Sequence, residues 1–295
     1  KRGHKHLQEL EHKHLQERNH LRIRRPKQKP EHKLLHVPEH NHLHIREREH
    51  KHLQEQEHLH IQERKRKLKQ AEIKCPFSPS LYKVQRKEIK GRDGTLIPVS
   101  FVYRRDLYKK GKNPLFVYGY GSYGISIDAG FSSTRLSLLD RGFIFAIAHV
   151  RGGQDLGRQW YEDGKVYNKL NTFYDFIDVT KGLVSLGYGE TGRIYAGGGS
   201  AGGLLMGSII NMEPDLYNGI ISNVPFVDVI TTMSDETIPL TTGEYDEWGN
   251  PANKKAFNYI MKYSPYDNIG SYSYPSILVT AGLWDSQVQY YEPAK

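Results

Sequence analysis

One hydroxyl stands among five glycines in RIYAGGGSAGG, Arg193 to Gly203. Gly198, Ser200 and Gly202 fit G-x-S-x-G, the turn that carries a nucleophilic serine between a strand and a helix. Such a turn needs small neighbours, because the serine sits on a strained bend where adjacent side chains would clash. The residue after it, Ala201, offers a backbone N–H to a developing oxyanion at the positive end of the following helix. The same stretch supports two other readings. Gly197, Gly199 and Gly202 fit G-x-G-x-x-G, a dinucleotide fingerprint, which calls for an acidic residue about 20 positions on. None stands near Ser222. Glycine used only for close helix packing is the third.

A serine nucleophile needs a base, and the histidines are unevenly placed. Fourteen of the fifteen lie in residues 1–74, and His149, the other, precedes Ser200 and opens the turn HVRGG. Residues 1–74 repeat with a period of eight, as in EREHKHLQ from Glu47 and EQEHLHIQ from Glu55. One apolar position per octad drifts about 80° around a helix at each repeat, so no apolar stripe forms. The segment reads as a disordered low-complexity tail; alternate histidines on an extended chain could also share a soft metal ion. It holds 20 of the 42 Lys and Arg but 11 of the 33 Asp and Glu, so the formal charge of +9 belongs to it. From Cys75 the two signs balance, which argues against nucleic acid as a partner of the folded part. A single cysteine excludes an internal disulfide framework, no apolar run is long enough to span a membrane, and a cytoplasmic setting is expected.

The elements that must position Ser200 begin after the tail. GTLIPVSFVYRRD, PLFVYGYG, FIFAIAHV, RIYAG, GIISNVP and SILVTAGLWD read as strands. SSTRLSLLDRG, closed by Gly142, reads as a helix. NTFYDFIDVTKGLVSLG reads as a longer one, with Phe173, Phe176, Ile177, Thr180, Leu183 and Val184 on one face, Thr172 and Asp175 as a capping box and Gly187 as the stop. A long acidic loop precedes a helix near KKAFNYIMKY. Strands alternating with helices predict an α/β domain over 75–295, with a mostly parallel, doubly covered sheet and ligands at the carboxyl ends of its strands.

Several further motifs occur in one order: YGYGSYG at 118, DRGF at 140, HVRGGQDLGRQWYEDGK at 149, GGSAGG at 198, ETIPLTTGEYDEWGNP at 236, YSPYDN at 263 and DSQVQYYEPAK at 285. From about Ile89 to Lys295 the chain resembles the oligopeptidase B branch of the prolyl oligopeptidase family of serine peptidases. The resemblance implies an α/β-hydrolase fold that cuts short peptides after Arg or Lys, with no cofactor and no metal. By the same resemblance Ser200 is the nucleophile and Asp285 the acid of the triad, in keeping with the order Ser, Asp, His of the elbow fold. Asp285 could otherwise cap a helix. Tyr120 would donate its hydroxyl to the oxyanion beside the N–H of Ala201. Glu244 would select a basic P1 side chain, with Tyr123 as a wall of the pocket. Asp128 matches one of two acids used for a basic P2 residue, and Gly130 stands where the second would be.

Two departures accompany the resemblance. The family histidine follows the acid by some tens of residues, and only ten residues follow Asp285 here. The family's N-terminal β-propeller and its last strand and helix have no counterpart, so a fragment with little activity of its own is expected. SILVTAG is then expected to be an exposed, apolar edge strand prone to association. The rival expectations are a non-catalytic interaction protein with a His-rich tail and a dinucleotide enzyme.

Overall fold

A computed structural model of the chain describes residues 77–295, which fall in one compact unit, Cys75–Lys295. The repeat segment, with its expected disorder and metal-binding histidines, lies outside the described residues.

Seven strands form one sheet in the order β1-β2-β4-β3-β5-β6-β7. They are β1 (Tyr82–Lys90), β2 (Leu96–Arg104), β3 (Leu115–Tyr118), β4 (Ile144–Ala148), β5 (Ile194–Gly199), β6 (Gly219–Asn223) and β7 (Ser276–Thr280). β1, β2 and β4 pair antiparallel, while β4, β3, β5, β6 and β7 run parallel to their neighbours. β1 is not among the strands expected from sequence. YKVQRKEIK is charged along most of its length, a composition that suits a sheet edge but hides the alternation.

The alternation of side chains divides the core into two layers. Leu115, Val117, Ile144, Ala146 and Ala148 face one large apolar cluster, and Phe116, Phe145 and Ile147 face a smaller one on the other side. Helix α1 (Ser133–Leu139) covers the smaller side through Leu136 and Leu139, and α2 (Arg158–Glu162) follows β4. On the larger side lie α3 (Leu170–Ser185) and α4 (Ala201–Met212). Phe173, Phe176, Ile177, Thr180 and Leu183 of α3 are buried as the 3.6-residue spacing predicts, with Val184 at the rim.

The start of α3 differs from the expected capping box. The helix begins at Leu170, so Thr172 and Asp175 lie inside it. The Thr172 hydroxyl donates to the Arg151 carbonyl at 2.7 Å, and Asp175 accepts from the Arg151 backbone at 2.9 Å and pairs with its guanidinium. The buried Arg151 has claimed both residues, Asp175 as counterion and Thr172 as donor to its carbonyl. The expected acidic loop is also partly helical: α5 (Val229–Ser234) and α6 (Tyr245–Trp248) precede α7 (Lys254–Ile260), and α8 (Tyr291–Ala294) follows β7.

Double covering of the sheet fails at one end. Every residue of β7 is exposed, and Ile277, Leu278 and Val279 show 46%, 59% and 41% of their surface.

Candidate active site

Ser200 sits between the last residue of β5 and the first of α4, with φ 56° and ψ −117°. A non-glycine residue with this backbone stores strain, on the order of 1–3 kcal/mol, that the surroundings must hold in place. The Ser200 N–H donates to the Asn223 carbonyl at the end of β6, at 2.8 Å. The Ser200 carbonyl accepts from Gly203, Leu204 and Phe226. The flanking glycines are a steric requirement. A Cβ on Gly198 would land on the Gly202 carbonyl oxygen, and one on Gly202 would come within 2.8 Å of the Gly119 carbonyl oxygen. The dinucleotide reading has no support at β6, whose last residue, Asn223, is not acidic and is engaged with Ser200 and the Thr280 hydroxyl.

Tyr120, just past the carboxyl end of β3, lies with Ser200 on the lining of one cavity. Burial raises its phenol above the ordinary range, with the neighbouring Ser200 hydroxyl opposing. Ala201 is buried and begins α4, where first-turn N–H groups have no intrahelical acceptor.

A cavity of about 200 Å³ opens beside Ser200 and is lined by Tyr120, Tyr123, Ala201, Phe226, Glu244 and Trp248, among others. Three of the five non-glycine residues with positive φ among the described residues, Tyr123, Ser200 and Leu240, line it. Glu244 Oε2 accepts from the Tyr123 hydroxyl at 2.7 Å and from Trp248 Nε1 at 3.0 Å. Its Oε1 has no donor and the carboxylate no cationic partner among the described residues. Burial, and then the bond to Glu244, raise the Tyr123 phenol.

Asp285 lies in the segment after β7, where its Oδ1 accepts the N–H groups of Gln287 at 2.9 Å and Val288 at 3.1 Å. These two bonds lower its carboxyl below the ordinary range and outweigh desolvation. Gln287 and Val288 line the Ser200 cavity. The carboxylate thus folds its own turn, close to the capping alternative, although α8 begins only at Tyr291. Asp128 is exposed and lies off the cavity lining, so Asp128 and Glu244 are not brought together.

His149 is the only histidine among the described residues, and both its ring nitrogens are engaged. Nδ1 donates to Asp155 and Nε2 accepts from the Ser100 hydroxyl, each at 2.9 Å, in a side chain 3% exposed. The acceptor-only carboxylate fixes this tautomer.

Buried charged groups that escape the sequence analysis include Glu247, Lys169 and Glu292. Glu247 accepts the Tyr123 N–H at 3.0 Å and the Tyr161 hydroxyl at 2.6 Å. Lys169 donates to the Gly121 carbonyl at 2.6 Å and to Ser122 Oγ at 2.7 Å. Glu292 of α8 accepts the N–H groups of Val227 and Asp228 and the Thr232 hydroxyl, fixing the segment that leads into the cavity. Glu244 and Glu247 stand three apart in GEYDEW, which on a helical turn is one signal of paired roles.

A mostly parallel sheet with a serine on a positive-φ bend between strand and helix defines an α/β-hydrolase domain. The model of the prolyl oligopeptidase family matches residues 129–295, and the chain belongs to that family. It is 58% identical over 232 residues to dipeptidyl aminopeptidase BI of Pseudoxanthomonas mexicana, covering 78% of this chain and 32% of that protein. Oligopeptidase B from Leishmania major superposes with a TM-score of 0.75 at 50% identity, over 77% of this chain and 32% of that one. Oligopeptidase B from Trypanosoma brucei, in a closed form with covalently bound antipain, gives 0.73 at 49% identity, over 74% and 31%. The chain spans about a third of the length of the curated relatives it matches.

Proposed function

We propose that this domain is the catalytic domain of a serine peptidase that cleaves short peptides after Arg or Lys. The observation that carries the reading is Glu244: a carboxylate in the Ser200 cavity with one oxygen fixed by Tyr123 and Trp248 and the other unclaimed. A cavity-lining carboxylate without a counterion is an acceptor for a guanidinium or ammonium group. With a basic side chain at Glu244, the adjoining carbonyl carbon meets Ser200 Oγ. Attack there would form the C–O bond as the Ser200 hydroxyl proton passes to the imidazole that Asp285 is proposed to orient in the whole protein, and would move the carbonyl π electrons onto oxygen, where the Tyr120 hydroxyl and the Ala201 N–H stabilise the charge. Collapse would return that proton to the leaving nitrogen, expel the amine and leave an acyl group on Ser200, which water then hydrolyses to the acid.

Asp285 is the proposed acid that orients an imidazole, and Asp128 the proposed contact for a basic P2 residue. A β-propeller that admits only short peptides belongs to the proposal for the whole protein, as does a cytoplasmic setting, for which the single cysteine is the support. His149 is unsuited to serve as base, because moving it would break its bonds to Asp155 and to the buried Ser100 hydroxyl. This favours a second reading, in which residues 77–295 bind basic peptides with little turnover. Loss of one triad member leaves roughly 10³ to 10⁴ over water.

A peptide ending in arginine aldehyde, compared with its leucine analogue, tests the reading by titration. The arginine peptide is expected to bind tighter by about 2 kcal/mol or more, and Glu244→Gln to remove that difference. Equal losses on both peptides would return Glu244 to a surface role. A dibasic fluorogenic peptide turned over at enzymic rates, with Ser200→Ala inactive, would rule out the low-turnover reading.

A further inference from the structure

We infer that Glu247 and Lys169 are a buried positioning pair that clamps the turn Gly121–Tyr123, setting Tyr120 against Ser200 at one end and Tyr123 against Glu244 at the other. The Glu244 end rests on the cation-accepting reading above. The clamp on the turn does not.

Three consecutive residues are held by the two side chains. Lys169 Nζ takes the Gly121 carbonyl and the Ser122 hydroxyl, and Glu247 takes the Tyr123 N–H. Lys169 comes from the start of α3 and Glu247 from α6, so the turn is fixed from two directions. Both are almost fully buried, at 1% and 3% exposure, and Ser122 is wholly so. The charges stand 3.9 Å apart, too far for a direct hydrogen bond. Lys169 therefore spends its hydrogen bonds on the turn, Glu247 divides its own between the Tyr123 N–H and the Tyr161 hydroxyl, and Lys169 also lies 5.0 Å from the centre of the Trp248 ring.

Stability alone does not account for this arrangement. Removing two charges from water costs several kcal/mol per ion, and apolar side chains of similar volume often do as well or better. What an apolar pair cannot do is hold backbone. Tyr123 has φ 58°, a left-handed conformation that a tyrosine adopts only under constraint. Its N–H is donated to Glu247 in that conformation, and its hydroxyl reaches Glu244 as a consequence. Glu247 and Trp248 are adjacent on α6, so one short helix carries the clamp on Tyr123 and the indole that fixes Glu244.

The test uses the 295-residue chain as wild type, Glu247→Gln, Lys169→Met, the Lys169→Met/Glu247→Gln double variant and Glu244→Gln. Three measurements are made on each: the melting temperature, the calorimetric affinity for benzamidine as an amidinium probe, and the exchange protection of the Tyr123 amide. Lys169→Met leaves a lone buried carboxylate and is expected to melt lowest. The double variant restores neutrality and is expected to recover melting temperature, yet to bind benzamidine at least tenfold more weakly than wild type and to lose at least tenfold in Tyr123 protection. Affinity that simply follows melting temperature across the set would reduce the pair to charge compensation and overturn the proposal. Unchanged Tyr123 protection in Glu247→Gln would overturn it whatever the ligand does. If Glu244→Gln binds benzamidine as wild type does while the pair variants still lose protection, the cation-accepting reading falls and the clamp stands.

Discussion

The two ends of the Ser200 neighbourhood are built in opposite ways. On the side of β3 and α6, side-chain hydrogen bonds hold the cavity wall: the tyrosine turn by the buried Lys169 and Glu247, and Glu244 by Tyr123 and Trp248. On the side of β6 and β7, apolar side chains face outward and the backbone ladder is the main support. Ile221, Ile277, Leu278 and Val279 are all exposed, and a groove of about 610 Å³ runs past Tyr118, Phe143 and Tyr195. The acid-bearing segment hangs from this second side, tied back through Glu292 to Val227, Asp228 and Thr232. Geometry is thus over-determined where Ser200, Tyr120 and Glu244 meet. It is sparsely determined where Asp285 is carried.

The largest loss is expected at the elbow itself. Gly198→Ala places a methyl group on a backbone oxygen that no rotamer change can clear, so the β5–α4 junction must shift. A loss of about 4 kcal/mol or more in urea unfolding is expected, the range reserved for a small set of steric and burial faults. Gly130→Ala, on the open Asp128 loop with nothing near its Cβ, should fall within about 0.5 kcal/mol. Similar small effects at both positions would mean that the elbow is less constrained than its φ implies.

The same contrast explains what was legible in the sequence. RIYAGGGSAGG encodes its turn locally, because the steric demand falls on residues two apart, and six expected strands were recovered on the same basis. Thr172, Asp175, Lys169 and Glu247 were not legible, since their roles depend on partners tens of residues away. Thr172 and Asp175 look like a cap, and the tertiary need to satisfy Arg151 overrides that. GEYDEW reads as a solvated acidic loop by composition, yet Glu247 is buried and Glu244 lines a cavity. β1 was missed for the reverse reason: its charges fit an edge strand and mask its period.

A smaller effect sharpens the polar side. Burial pulls the Lys169 amine down to about 8, with Glu247 opposing. The unfolded amine titrates near 10.4, so between pH 8 and 10 the unfolded chain carries the extra proton and stability rises with pH. The gain is at most about 3 kcal/mol. Glu247 faces this amine directly, and the Tyr123 and Tyr161 phenols that share the carboxylates are raised by burial. A raised phenol contributes stability below its unfolded value near 10 that is lost above it, so tyrosine acts in the opposite sense at the top of the range. Melting temperature followed from pH 7 to 9.5 is expected to climb in wild type relative to the Lys169→Met/Glu247→Gln double variant. Parallel curves would show that Lys169 does not titrate in this window.

The smallest effect on folding is expected at the bare end of the sheet, where a change in association would be the informative result. Leu278 pairs with Ile221 across the β6–β7 ladder and shows 59% of its surface, beside a groove with aromatic walls. An exposed apolar edge strand offers both a backbone template and a hydrophobic face to another chain. Leu278→Lys adds a charge on that face and removes little buried area, so unfolding free energy should change by less than about 0.5 kcal/mol. Sedimentation at rising concentration should show less self-association than wild type, because each approaching edge now meets a lysine. A large loss of stability would carry the opposite meaning. Leu278 would then be buried in solution against something that covers the groove, and the sparse end of the molecule would be as well packed as the polar one.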